Sequence, residues 1–339
     1  MPVTQADSSM TGASYRLHGY LLAGGGAALF SMKAIVIKIA YGDESVDVDA
    51  ILLLGLRMAF ALPVFLVIGF WLIHSRGVNL REKLTPRLAV SAALVGLLGY
   101  YFAAYLDFIG LKFITAQLER LVLFTYPLFV MVLGALFFGG QVTRWGLLSL
   151  ALAYSGIVMV YFQGAISQGE NVTTGVLFVL GAAFAFALYQ LLARSIISTT
   201  GSLLFTCIAM SSAAMGSLVH LAVASALSEA GPLFAALPAR IYYLAALLGI
   251  VATVLPAFMI NAGLERIGAQ ASAMIHTISP IVTIILAVVI LGEPFTIIDA
   301  LGSVFVIAGV GVYTWKDSRR AVSPVTGSTV LRARPDDRP

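Results

Sequence analysis

The sequence predicts an all-α polytopic membrane protein with ten transmembrane helices, arranged as two inverted five-helix repeats around a central cavity. Two observations carry this prediction. Sixty per cent of the 339 residues are hydrophobic and only 11% are charged, whereas a soluble domain averages about one-quarter charged residues. In addition, two apolar stretches 153 residues apart repeat each other without a gap, so that Gly110 returns as Gly263 and Pro127 returns as Pro280.

A window of about 20 residues, the length that crosses roughly 30 Å of hydrocarbon, finds five apolar spans in each half. Because five is an odd number, the second half must be inverted relative to the first. Inverted repeats of this kind are typical of secondary transporters. The predicted spans are 17–40, 49–74, 88–111, 115–138, 144–163, 173–195, 202–226, 240–264, 269–292 and 295–315.

The remaining segments set the domain boundaries and the orientation. Residues 1–16 and 317–339 lack an apolar pattern, and we expect a disordered N-terminus and a disordered tail flanking repeats at 17–163 and 173–316. With the N-terminus inside, the inner segments hold fourteen Lys and Arg residues and the outer segments only two. The positive-inside rule therefore predicts a multi-pass protein of the cell (plasma or inner) membrane with both termini cytoplasmic.

Several of these positions carry a resemblance to a known family. They are Gly110-Leu111, Pro127, Gly139 and Gly156 in the first half, and Gly263-Leu264-Glu265, Ser279-Pro280, Leu291-Gly292-Glu293 and Gly309 in the second. With them the chain resembles the EamA-type transporters of the drug/metabolite transporter superfamily. It departs at Gly140, where the family's first repeat often has the Glu seen here at Glu293. The resemblance implies ten helices around a central cavity and transport of small metabolites or drugs, usually as export.

Charged residues inside the predicted spans are the first candidates for a functional site, since each costs about 2.5–3.5 kcal/mol at the centre of a membrane unless it is paired or hydrated. Lys38 and Asp299 lie near helix ends, where they could snorkel to the interface. Lys33 and Arg57 lie deeper, and either a substrate cavity or a structural ion pair would explain them. The excess of basic charge favours an anionic or carboxylate-bearing ligand if these groups face the cavity.

The third and fourth spans form a tight hairpin with its turn near Phe113. Asp107 lies one turn before it and Arg120 one turn after it, so we predict a structural ion pair between them. Glu119 points about 100° away from Arg120 around the helix. We therefore expect that Glu119 does not share the environment of Arg120 completely, which makes Glu119 the better candidate for a titrating, proton-exchanging carboxylate in the cavity.

Three tyrosines are further cavity candidates. Tyr101 and Tyr105 are four residues apart and share one helix face, and Tyr189 lies closer to the cytoplasmic side. Tyrosine hydroxyl groups deep in a membrane need polar partners, which a cavity would supply. Packing between helices would explain the same residues.

Pro127 and Pro280 occupy equivalent positions in the two repeats. A proline inside a helix removes one backbone donor and bends the helix, so these two predict paired hinges beside the cavity. His276 lies four residues before Pro280, where it could contact a ligand or be a satisfied core histidine.

Three classes of function compete. The sequence favours a secondary transporter that moves small organic metabolites (amino-acid-like or other carboxylate-bearing compounds, or drugs) across the membrane by alternating access, in the direction of export. A membrane enzyme is disfavoured because the chain lacks an Asp-rich metal motif, an HExxH motif and a nucleophile elbow. A channel or receptor without carrier activity is the third class, and it would not need an inverted repeat.

Composition limits the partners. The single cysteine, Cys207, cannot form a disulfide or a cysteine-based zinc site within one chain, and we expect no metal and no cofactor. The net charge of +4 is explained by membrane topology, so nucleic acid is not expected as a partner. A small-molecule substrate and the lipid bilayer are the expected partners, and the glycine-rich helices would permit a homodimer.

Overall fold

The computed structural model describes residues 12–43, 46–75, 85–137, 139, 142–168, 171–228, 237–276 and 278–322, and this part of the chain is helical and without strands. Two π-helical turns, Leu97–Phe102 and Ile250–Val254, interrupt the α-helices. The α-helices are α1 Gly12–Tyr41, α2 Ala50–Ser75, α3 Pro86–Gly96, α4 Ala103–Phe113, α5 Ala116–Leu123, α6 Tyr126–Phe137, α7 Arg144–Gln168, α8 Val172–Thr200, α9 Ser202–Leu227, α10 Ala239–Gly249, α11 Leu255–His276, α12 Ser279–Leu291 and α13 Ile297–Val322.

Eight helical segments of the described chain are long and apolar enough to cross a membrane, by length and composition. Two further apolar helices are shorter. The chain is therefore a helical multi-pass membrane protein. The eight long segments are Ser14–Tyr41, Ala50–Ser75, Pro86–Phe113, Ala116–Phe137, Arg144–Ala165, Val172–Thr200, Ser202–Leu227 and Ala239–Ile267, and the shorter ones are Ser279–Leu291 and Ile297–Tyr313.

The terminal helices extend beyond the predicted spans. The first helix begins at Gly12, inside the segment 1–16 that was predicted to be disordered, and the last continues to Val322, inside the predicted tail. The Arg266 guanidinium lies 5.5 Å from the centre of the Tyr15 ring, and this contact holds the first turn of α1 against α11. The apolar pattern underestimates these helices because the membrane limits the length of the apolar stretch but not that of the helix.

Both prolines lie where a helix is interrupted. Pro127 is the second residue of α6, which is separated from α5 by Phe124 and Thr125, and Pro280 is the second residue of α12. The first turn of a helix tolerates proline because the backbone donor that proline lacks has no intrahelical partner there. The structure therefore has a helix interruption at each proline, while the predicted hinges stay a prediction.

Helix α1 packs lengthwise against α11, and glycines allow the close approach. Gly19 contacts Ile267, and Gly263 contacts the backbone of Ala23. Because the residue numbers rise on one helix as they fall on the other, the two helices run antiparallel over this stretch.

The chain reverses direction between Ile267, which lies beside Gly19, and Ser279, which lies beside Ser31. Ile275 lies beside Gly24 of α1, and further on the Ser279 hydroxyl is 2.8 Å from the Ser31 hydroxyl. Here the numbers rise together, so this part of the chain runs parallel to α1. The reversal lies close to the predicted boundary between the eighth and ninth spans.

The two π-helical turns occupy equivalent positions, 153 residues apart. Each follows a glycine that is pressed against a neighbouring helix, namely Gly96 against Ala209 of α9 and Gly249 against α2. A Cβ atom on Gly249 would lie 2.6 Å from the carbonyl oxygen of Arg57, which is closer than real Cβ contacts. This glycine therefore lets the second π-helical turn come up against the backbone of Arg57.

Candidate functional site

Five charged side chains from four helices lie together inside the helical bundle, and we call them the charged cluster. Each is at most 5% exposed. Three are basic and two are acidic, so with all of them ionised the charged cluster carries a net positive charge. Its members are Lys33 of α1, Arg57 of α2, Asp107 of α4, and Glu119 and Arg120 of α5.

The ion pair of the charged cluster joins α1 to α4. Lys33 Nζ donates to Asp107 Oδ2 at 2.5 Å. The predicted pair between Asp107 and Arg120 is therefore wrong. The hairpin does bring these two residues near each other, but α1 packs against the same hairpin and its lysine takes the Asp107 carboxylate. Of the two explanations for Lys33, the structure supports the structural pair.

Glu119 and Arg120 share one buried environment, contrary to the sequence prediction. Arg120 Nε lies 3.9 Å from Glu119 Oε2, which is too long for a hydrogen bond. Every residue from 116 to 122 is buried. The 100° step between neighbouring residues separates their environments only on a helix with an exposed face, and α5 has none over this stretch.

Arg57 is oriented from two sides. Its Nε donates to Thr253 Oγ1 at 2.8 Å in the second π-helical turn, and its guanidinium lies 5.5 Å from the centre of the Phe108 ring. The ring of Phe30 makes the same kind of contact with the other two cations, since the charged groups of Lys33 and Arg120 each lie 5.6 Å from its centre. Cation–π contacts partly compensate basic groups that are removed from water.

Several polar atoms of the charged cluster have no hydrogen-bond partner among the described residues. They are Arg57 Nη1, Arg120 Nε and Nη2, Asp107 Oδ1 and both carboxyl oxygens of Glu119. A buried polar group left in this state costs about 1–3 kcal/mol, and more if it is charged. The charged cluster therefore contains both donors and acceptors that an added ligand could satisfy.

Helix α5 is held in place by a residue from the other end of the chain. Glu293 Oε1 accepts a hydrogen bond from the backbone N–H of Ala116 at 2.7 Å, and Oε2 accepts one from Gln117 at 3.2 Å. A carboxylate at this position satisfies free N–H groups and opposes the positive end of the helix dipole. In the sequence, Glu293 stands out only through the family resemblance, because the equivalent glutamate of the first repeat is replaced by Gly140.

Lys38 and Asp299 have structural roles. Lys38 Nζ donates to the carbonyl oxygens of Leu111 and Ile114, both at 3.1 Å, where α4 ends. Asp299 accepts hydrogen bonds from the backbone and the hydroxyl of Thr296 at the start of α13. Both side chains are therefore used at helix ends.

The predicted tyrosines lie outside the charged cluster. The Tyr101 hydroxyl is 2.8 Å from His220 Nδ1, and the Tyr105 ring contacts the same histidine with 5.1 Å between ring centres. Tyr189 donates to the hydroxyl of Tyr100 at 2.8 Å. The side chain of His276 lies outside the described residues.

The charged cluster is enclosed in this conformation, since each of its side chains is at most 5% exposed. A groove of about 480 Å³ is lined by Leu66, Val67, Phe70, Trp71 and His74 of α2, and a cavity of about 60 Å³ lies near Thr200 and Glu265. Neither is lined by a member of the charged cluster. Within the described part of the chain, no group of three His, Cys, Asp or Glu side chains could hold a metal ion.

Apolar helices that cross a membrane and enclose ionisable side chains define a class, the polytopic membrane proteins with a polar site inside. Such residues commonly mark substrate or ion pathways. The model of the EamA-like transporter family matches residues 17–162 and 173–315. The chain therefore belongs to this transporter family, and the resemblance found from the sequence is confirmed.

Similar proteins also carry transporter names. The chain is 30% identical over 295 residues to the uncharacterized transporter YcbK of Bacillus subtilis, covering 84% of this chain and 90% of that protein. It is 23% identical to the uncharacterized transporter sll1319 of Synechocystis, covering 94% and 99% respectively. A crystal structure with 18% sequence identity and a TM-score of 0.59 covers 90% of this chain and 99% of that one, which shows a shared fold.

Proposed function

We propose that this protein is a secondary carrier that moves small organic metabolites with a carboxylate group, amino-acid-like compounds included, across the cell membrane. It works by alternating access and in the direction of export. Membership of a transporter family supports the general class. The observation that carries the substrate class is the charged cluster, with its excess of basic groups deep inside an apolar bundle.

The unpartnered donors of the two arginines are suited to an anion. Arg57 Nη1 and two nitrogen atoms of Arg120 lack acceptors among the described residues. A carboxylate accepts hydrogen bonds from guanidinium groups in short, charge-assisted geometry, so a bound carboxylate would satisfy these donors. Lys33 is already paired with Asp107, and we therefore assign recognition of the anion to Arg57 and Arg120.

Two features support ten spans in two inverted halves. The reversal of the chain between Gly263 and Ile275 allows the segment that contains α12 to form a separate crossing. Under an inversion that relates α1 to α8 and α4 to α11, the packing of α1 on α11 corresponds to the packing of α8 on α4. Both of these packed pairs are present in the structure. The same inversion would exchange α2 with α9, and α7 with α13. The structure contains the contact between α2 and α9 and the contact between α7 and α13, and the inversion would leave each of these two contacts unchanged.

Alternating access then follows from the enclosed site. Carriers built from two inverted halves expose a shared site to one side at a time, and a state with a closed site lies between the two open states. The charged cluster, at most 5% exposed, fits this closed state. The distribution of Lys and Arg supports an orientation with both termini in the cytoplasm.

The test is transport into proteoliposomes that contain the purified full-length protein. The vesicles are preloaded with one unlabelled organic acid or amino acid, and uptake of the same labelled compound is measured across a panel. A carrier gives saturable uptake that the internal compound stimulates, because both use one alternating site. Uptake that rises linearly with concentration and ignores internal compound would instead indicate a channel. Absence of any counterflow across carboxylates, with counterflow of neutral or cationic compounds, would overturn the proposed substrate class.

A further inference from the structure

The two acidic groups of the charged cluster lack the hydrogen-bond donors that two carboxylates would need. Asp107 Oδ1 and both oxygens of Glu119 have no donor among the described residues, and these two residues are 1% and 0% exposed. Lys33 reaches only Asp107 Oδ2. Arg120 Nε remains 3.9 Å from Glu119. Two ionised carboxylates in this arrangement would repel each other, and three of their four oxygens would have no donor.

The two carboxyl groups lie within hydrogen-bonding reach of each other. Carboxylates only accept hydrogen bonds, whereas a protonated carboxyl group donates one. A proton on Glu119 would therefore create the missing donor, and Oδ1 is the Asp107 oxygen that has none. Asp107 is the acceptor because its other oxygen already binds Lys33.

We propose that Glu119 and Asp107 form a binding site for one proton, held on Glu119 in the closed conformation. The Glu119 carboxylate takes up one proton and keeps it. The resulting O–H group donates a hydrogen bond to the Asp107 carboxylate, which stays ionised. The charged groups that face Glu119 are Lys33, Asp107 and Arg120. The stretches of the neighbouring helices at 172–188 and 279–291 contain no titratable side chain.

Protonation of Glu119 also changes the charge that an anion would meet. With Glu119 neutral, Lys33 and Asp107 balance each other, and Arg57 and Arg120 are left without a counter-charge. With Glu119 ionised, its carboxylate competes for Arg120. The proton and an anionic substrate therefore bind together and cross together. This last consequence rests on the proposed function, but the proton site itself does not.

The proton site can be tested without a substrate by infrared spectroscopy of the full-length protein in lipid nanodiscs. We expect the C=O stretch of a protonated carboxylic acid at neutral pH, shifted in heavy water. Glu119→Gln should remove this band. The matched control Glu265→Gln changes an exposed glutamate and should leave it unchanged. A wild-type spectrum without the band, or a band that Glu119→Gln leaves unchanged, would overturn the proposal.

A second variant covers the case in which Glu119→Gln fails to fold. Asp107→Asn replaces the acceptor by an amide that can itself donate to the Glu119 carboxylate, so Glu119 no longer needs the proton and the band should disappear. If the band persists with unchanged frequency, the proton lies elsewhere. The two proposals can fail separately. If the variants lose the band but the wild-type protein transports nothing, the proton site is supported and the proposed carrier function is rejected.

Discussion

The two π-helical turns use the same backbone device for different chemistry. They are 153 residues apart in sequence, and each follows a glycine packed against a neighbouring helix. At equivalent positions they carry Tyr100 and Thr253. The Tyr100 hydroxyl accepts a hydrogen bond from the neutral Tyr189, whereas the Thr253 hydroxyl accepts one from Arg57 at 2.8 Å. One turn thus completes an aromatic contact and the other positions a buried cation.

This difference extends to the surrounding side chains. The 153-residue offset pairs Asp107 with Ile260, Glu119 with Ser272 and Arg120 with Ala273. The three residues that the first copy contributes to the charged cluster therefore have no charged counterparts in the second copy. The backbone repeat provides two similar frameworks, but only one of them has acquired an ionic site. Variants that affect one framework and leave the other intact can test this division.

The largest effect is expected for Lys33→Ala on stability. Removing the lysine leaves the buried Asp107 carboxylate without its partner, and breaking such a pair costs about 3–5 kcal/mol. Unfolding of the purified protein in detergent, followed by circular dichroism, measures the loss. The double variant Lys33→Met with Asp107→Leu removes both charges and should recover much of the stability. A single variant as stable as the wild type would show that the pair does not hold α1 to α4.

The next largest effect is expected for Arg57→Ala on transport. Loss of one hydrogen bond between a charged group and the substrate is worth about 1.5–3 kcal/mol, which corresponds to a fall of roughly 10- to 150-fold in kcat/KM. Counterflow in proteoliposomes measures it. The matched control is Arg240→Ala, since the Arg240 side chain is 62% exposed and should be dispensable. Equal activity of both variants would remove Arg57 from the site.

Smaller effects are expected for one substitution in each π-helical turn, and these two variants compare the roles of the two turns directly. Thr253→Val keeps the shape of the side chain but removes the acceptor for Arg57, so we expect a roughly fivefold loss of transport, as about 1 kcal/mol produces. Tyr100→Phe removes the equivalent hydroxyl from a neutral pair, and we expect a loss of only about 0.5–1.5 kcal/mol of stability with transport retained. Both variants are compared by counterflow and thermal unfolding. The reverse ranking in transport would assign the functional role to the tyrosine side.

The smallest effect is expected for Glu293→Gln. The amide keeps one acceptor for the N–H groups of Ala116 and Gln117 but loses the second acceptor and the negative charge. The charge alone is worth about 0.3–1 kcal/mol at a helix N-terminus. Thermal unfolding at low and high salt measures this term, and the exposed Glu265 supplies the control as Glu265→Gln. A loss that salt does not reduce would show that charge is not what stabilises α5.

Some of the site followed from sequence and some did not. The charged residues could be found because each stands out in an apolar span, and the breaks at Pro127 and Pro280 follow from the missing backbone donor. The partner of Asp107 could not be found in this way. Hairpin geometry favoured Arg120, the nearest base along the chain, whereas the actual partner Lys33 is 74 residues away.

The sequence by itself determined the membrane class, the approximate positions of the eight long apolar helices, and the transporter family, because hydrophobicity, length and motif spacing are local properties of the chain. Only the tertiary structure decided which charges pair, that Glu293 caps α5, and that Thr253 rather than a charged residue orients Arg57. Helical periodicity fixes the face on which a side chain lies but not the helix that meets that face. Those contacts arise between segments that are far apart in the chain, where close packing at glycines such as Gly249 and Gly263 selects the neighbours.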